Sequence, residues 1–120
     1  MACKVKNQPR VWSTPSVVWT DKAKLARRKL YVEGVVNFGI ATALKIAYRI
    51  ESITGELECF PESGYQEPLL MGQGFIYRAR HINRRFKIIY WFNKADYMVV
   101  IEDIWDTRRA PQNLIAGMKR

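Results

Sequence analysis

From Phe75 onward the side chains change character with a period of two, and this alternation constrains the fold more than any other feature. Across residues 77–111, Tyr77, Ala79 and His81 fall on one side of a strand, with Arg78 and Arg80 on the other. After a turn at Asn83-Arg84, Phe86, Ile88, Tyr90 and Phe92 alternate with Arg85, Lys87, Ile89 and Trp91. Asn93-Lys94-Ala95-Asp96 supplies the next turn. In the last run Val99, Ile101, Asp103 and Trp105 oppose Met98, Val100, Glu102 and Ile104. Three strands joined by short turns form an antiparallel meander. Neither face is purely apolar, as expected of a sheet covered on one side and partly covered on the other.

Upstream the period is helical. Ser16-Val17-Val18-Trp19 is a short β-prone run, and Thr20-Asp21 offers N-cap oxygens for a helix over residues 22–38. Ala23, Ala26, Leu30, Gly34 and Phe38 make its apolar stripe. Gly39 separates it from a second helix, residues 40–58, striped with Ala43, Leu44, Ala47, Ile50 and Leu57, with Ile46 and Ile53 beside them. Pro61, Gly64 and Pro68 place residues 60–68 in a loop. Residues 1–15 form a polar N-terminal extension and 16–120 one domain; residues 112–118 are expected to make a short terminal turn. The expected fold is α+β: a strand, an antiparallel helical hairpin, then a three-stranded meander, all in one sheet.

Charge then narrows function. The 120 residues carry 20 Lys+Arg against 11 Asp+Glu, a net charge of +9 that attracts nucleic acid or acidic protein. No apolar run is long enough to span a bilayer, and no signal peptide is evident, so no membrane role and a cytoplasmic location are expected. Cys3 and Cys59 are too few for a disulfide framework and are expected as free thiols. No glycine-rich phosphate loop, nucleophile elbow or metal-ligand spacing occurs, so neither cofactor nor metal is expected. What remains is a basic sheet interleaved with Tyr77, Tyr90, Trp91 and Trp105. Arg78, Arg80, Arg85, Lys87, Arg108 and Arg109 are the candidate target- or nucleic-acid-binding residues. For metal-free RNA cleavage, Lys87, Arg108 and Arg109 would supply cations for the phosphorane. The acid and base would have to come from His81, Asp106 or a perturbed Lys, and sequence alone places none of them.

Several segments together carry a resemblance. Val18-Trp19-Thr20 ahead of a charged helical hairpin, Leu57…Phe60-Pro61…Gly64, Tyr77-Arg78, Arg85-Phe86-Lys87-Ile88-Ile89-Tyr90 and Ile104-Trp105-Asp106-Thr107-Arg108-Arg109-Ala110-Pro111 resemble the RelE/ParE toxin superfamily of bacterial type II toxin–antitoxin modules. The resemblance spans residues 16–114. It implies a cognate antitoxin whose acidic or amphipathic tail wraps the toxin, an antitoxin complex that binds operator DNA, and a part in plasmid stabilization. It also implies one of two targets. RelE-like members are ribosome-dependent mRNA interferases; ParE-like members inhibit DNA gyrase without hydrolytic chemistry. By the resemblance Lys87 takes the place of the family's central-strand arginine, Arg108 and Arg109 match its terminal arginines, and Asp106 stands where many members have histidine. No tyrosine or histidine follows Tyr97. That absence favours the ParE-like branch, a gyrase inhibitor rather than an enzyme.

Overall fold

The computed structural model describes residues 14–118. The N-terminal extension apart from Thr14 and Pro15, and with it Cys3, lies outside the described residues. In chain order the elements are β1 (Ser16–Trp19), α1 (Asp21–Phe38), α2 (Ile40–Cys59), β2 (Tyr65–Gln66), a 3-10 turn at Pro68–Leu70, β3 (Tyr77–His81), β4 (Phe86–Asn93), β5 (Met98–Asp106) and α3 (Pro111–Met118).

One five-stranded sheet has the order β1-β5-β4-β3-β2. The meander β3-β4-β5 is antiparallel, as the alternation requires. The first strand joins its far side in parallel, with Val17 opposite Val99 and Trp19 opposite Ile101. A strand-to-strand connection of this kind needs a long crossover, and the helical hairpin supplies it.

The helices begin and pack for local reasons. Thr20 Oγ1 accepts the Ala23 N–H at 3.1 Å, the N-cap bond that a threonine before a helix can make. Gly39, at φ +91°, reverses the chain between the two helices in a backbone conformation that side chains disfavour. A Cβ at Gly34 would stand 3.5 Å from that of Ala43, so small residues set the spacing between α1 and α2. The buried stripes are Ala23, Leu30 and Gly34 on α1, and Ala43, Ile50, Ile53 and Leu57 on α2. Phe38 and Leu44, expected on those stripes, are exposed, because α1 ends beyond the reach of the sheet and α2 turns its 46–50–53–57 side inward.

Two cores lie on opposite faces. The helices cover Ile88, Tyr90, Val99, Ile101 and Ile104. The second face holds Tyr77, Ala79, Ile89 and Trp105, covered by Leu70 of the 3-10 turn and by Leu114 and Met118 of α3. Both covers differ from the sequence expectation of a plain loop and a terminal turn. So does the register of β5. Pairing jumps from Tyr90–Ile101 to Ile89–Asp103, a bulge at Glu102. It returns Ile104 to the helix side and sends Trp105 to the second face, away from Val99 and Ile101 with which it was grouped. Cys59, expected to be a free thiol, is disulfide-bonded, so cysteine chemistry gives no argument for a reducing compartment. Among the described residues no helix is long and apolar enough to cross a membrane.

Candidate functional site at the basic end of the sheet

The β3–β4 turn and the end of β5 are stitched together by short-range bonds. Asn83 Oδ1 accepts the N–H groups of Arg85 and Phe86 at 2.9 and 2.8 Å, closing the turn. The Thr107 N–H donates to the Arg85 carbonyl at 2.7 Å, and the Thr107 hydroxyl to that of Arg84 at 3.2 Å. These bonds bring Arg84 and Arg85 alongside Thr107-Arg108-Arg109, which the sequence separates by a full hairpin.

Asp106 is the hub. Its Oδ2 accepts from Arg85 Nε and meets Arg85 Nη2, both at 3.1 Å; its Oδ1 accepts the Arg108 N–H at 2.9 Å and lies 3.5 Å from Arg108 Nε. Burial pushes the carboxyl up, but the Arg108 N–H and the Arg85 and Arg108 side chains outweigh it and hold the pKa below the usual aspartate value. Asp106 is therefore an ionised anchor that orients cations. Arg85 also lies over the Phe86 ring, and Arg109 lies 4.7 Å from the Trp105 ring centroid. Arg108 and Arg109 are exposed.

The remaining candidates are engaged differently. Arg78 on β3 donates to the Gly64 carbonyl at 2.9 Å and lies 3.6 Å from Glu62. Arg80 bonds Glu56 of α2 and, at 3.0 Å, the Ser63 hydroxyl. Each pins the 60–66 loop or α2 to the sheet. Lys87 stands in register between His81 and Trp105, on the second face. Its side chain is only 9% exposed and its Nζ is ion-paired with Glu67 Oε1, itself buried. Glu67 Oε2 meanwhile accepts the Leu69 N–H at 3.1 Å, capping the 3-10 turn. The structure thus brings Arg85, Arg108 and Arg109 together at one exposed end and leaves Lys87 beneath the turn, with no cation presented to solvent. Among the described residues no three His, Cys, Asp or Glu side chains are grouped to hold a metal.

Two features are not legible in the sequence. Glu67 lies in a breaker-rich segment where nothing marks a buried carboxylate. Nothing local distinguishes Tyr65 either, yet its hydroxyl lies 2.8 Å from His81 Nε2, the rings stacked across the β2–β3 pairing.

The ionic groups also set an acid limit. The Arg80 bond holds the Glu56 carboxyl below its usual value, as the Arg108 and Arg85 contacts hold Asp106. A folded pKa below the unfolded one stabilises the protein fully above about pH 4.5, and that stabilisation is lost as pH falls through the folded value. Asp103 opposes this trend: burial raises its pKa against the pull of Lys22, 3.4 Å away, so ionising it works against the fold. Net stability is expected to fall between about pH 5 and pH 3. Urea unfolding across that range should show the slope flattened in the Glu56→Gln/Asp106→Asn double variant; an unchanged slope would refute the assignment.

No family model and no curated protein sequence matches the chain. Solved structures do. A chain of the chromosomal ParDE TA system from P. aeruginosa superposes with TM-score 0.62 at 22% identity, covering 78% of this chain and 96% of that one. A chain of the toxin–antitoxin complex RelBE2 from Mycobacterium tuberculosis gives 0.53 at 16% identity, covering 82% and 98%. A metal-bound toxin from Helicobacter pylori gives 0.50 at 15% identity, covering 78% and 94%. At these identities the likeness is one of fold: the chain has the α+β architecture of RelE/ParE-type toxins.

Proposed function

We propose that this chain is the toxin of a type II toxin–antitoxin module, neutralised by a cognate antitoxin, and that it inhibits DNA gyrase rather than cutting RNA. The fold shared with chains of a ParDE system and a RelBE2 complex supports the module. The observation that carries the target is the burial of Lys87. The central-strand cation that would stabilise a cleaving phosphate is buried and neutralised by Glu67, while Leu70 and α3 pack on the same face of the sheet. The exposed Arg108 and Arg109 are left to contact a macromolecular target by charge and stacking, which needs no general acid or base.

A groove between α1 and α2 suits the antitoxin. It has a volume of about 430 Å³ and is lined by Tyr31, Leu44, Ile46, Ala47, Tyr48 and Ile50, with Arg27, Arg28 and one carboxylate, Glu51. Such a surface fits the apolar face of an amphipathic helix with acidic flanks. The antitoxin complex would bind operator DNA and the module act in the cytoplasm, with plasmid stabilization as its outcome.

Purified protein at micromolar concentration is expected to block gyrase supercoiling and accumulate cleaved DNA, with antitoxin reversing both. Arg108→Ala/Arg109→Ala should weaken the effect at least tenfold. A second reading, a ribosome-dependent mRNA interferase, is favoured by one observation, the exposed His81–Tyr65 pair. Codon-phased mRNA cuts in a translating extract, lost in Lys87→Ala/Arg108→Ala, together with unaffected gyrase, would replace the first reading by the second.

A further inference from the structure

On the second face, at the β2 edge, Tyr65 and His81 stack with ring centroids 5.7 Å apart and planes inclined by 22°. Tyr65 pairs with Ala79 across the strands, so His81 is its diagonal neighbour and the hydroxyl–imidazole bond locks the two rings into one surface. Both residues are exposed, on a strand of only two residues that forms the sheet's margin. Cations adjoin them. Arg49 of α2 reaches over the end of β3 and donates to the His81 carbonyl at 3.3 Å, and Arg84 follows three residues later in the exposed turn. Among the described residues neither guanidinium has a salt bridge, and Glu56, the carboxylate that feels Arg49, is bonded to Arg80. An aromatic surface beside two guanidinium groups that bond no carboxylate has the chemistry of a nucleotide: a flat base to stack and a phosphate to bind.

We infer that Tyr65 and His81 form a stacking platform for a base of single-stranded nucleic acid, with Arg49 and Arg84 holding the adjoining phosphates. Stacking accepts any base, so binding is sequence-tolerant. The site shares no residue with the Arg108-Arg109 pair that the gyrase reading uses, although Arg84 lies beside that end, and it requires no bond to be broken.

Fluorescence anisotropy with the full-length protein tests it, using short labelled oligouridylate, oligothymidylate and an abasic deoxyribose-phosphate strand of equal length. Tyr65→Ala and His81→Ala are each expected to weaken binding of the base-containing strands by roughly five- to hundredfold and to leave the abasic strand unaffected. Tyr65→Phe, which keeps the ring but loses the bond to His81, should bind base-containing strands more tightly than Tyr65→Ala. Arg49→Gln should weaken all three strands and lower the salt dependence by about one counterion. His81 is the chain's single histidine, so its ring resonances in the unaltered protein give an independent reading: stacking should shift them upfield as oligonucleotide is added. Binding of either RNA or DNA with this pattern supports the site, and the tighter strand names its ligand. Equal affinity for abasic and base-containing strands, or histidine resonances that do not move at saturation, overturns it. Gyrase inhibition measured on Tyr65→Ala keeps the two readings apart, since it should be retained.

Discussion

Glu67→Ala is expected to destabilise the protein by about 3–5 kcal/mol, because it strips the counterion from an ammonium that the fold holds out of water. The same change removes the cap on the 3-10 turn, whose Leu69 N–H would lose its acceptor. Lys87→Met alone should also be harmful, by leaving the Glu67 carboxylate buried without a cation. The paired variant Glu67→Leu/Lys87→Met should recover most of the loss, since apolar replacement of a buried ion pair is often neutral or stabilising. Urea unfolding of these proteins, with Glu67→Leu added so that the cycle closes, measures the coupling between the two charges. A Glu67→Ala loss below about 1 kcal/mol would mean that water reaches Lys87, and the argument that this cation is withheld from substrate would fall with it.

The second large effect is expected at Gly64. A Cβ there would lie 2.7 Å from the Ala79 carbonyl oxygen and 2.8 Å from the Tyr90 hydroxyl, neither of which can retreat: one is backbone within the sheet, the other a fully buried ring. That hydroxyl accepts the Gly64 N–H at 2.8 Å, so the intruding carbon also separates a buried bond. Overpacking together with a lost hydrogen bond puts Gly64→Ala at about 2–4 kcal/mol. Tyr90→Phe, which removes the bond without the clash, should cost about 1 kcal/mol. Thermal unfolding separates them, and a Gly64→Ala midpoint within a degree or so of the unaltered protein would show that the loop simply shifts.

The two glycine-tyrosine partners illustrate what the sequence disclosed. Spacing alone puts Tyr90 on one face of β4 with Phe86, Ile88 and Phe92, and all four share the helix-covered face. The helical hairpin, its break at Gly39 and the cap at Thr20 were equally visible, because propensity and periodicity are local properties. The bulge at Glu102 was not. It depends on which partner residue each strand finds, and no run of side chains announces a skipped one. The pairing of Lys87 with Glu67 is hidden for the same reason. A lysine on the polar phase of a strand reads as solvated until a distant carboxylate is seen to fold over it. Tyr65 and His81, sixteen residues apart, meet only because a two-residue strand pairs across an irregular loop. Local patterns reveal elements; ionic and aromatic encounters between elements belong to the tertiary fold.

The parallel seam between the first and last strands has a consequence for how this molecule is made. The Thr20 hydroxyl bonds the Glu102 carbonyl across 82 residues of chain, and the 3.0 Å bond from the Thr20 N–H to the Ile101 carbonyl belongs to the same seam. Contacts of such long range are made late, since the chain entropy of closing the loop must be met before they form. A nascent chain can build its helical hairpin early, but β1 has no neighbour in the sheet, and the helix-side core lacks Val99, Ile101 and Ile104, until β5 has been synthesised. A protein built this way stays unfinished through most of its translation, so a partner that is already folded can meet it before its last strand closes the sheet.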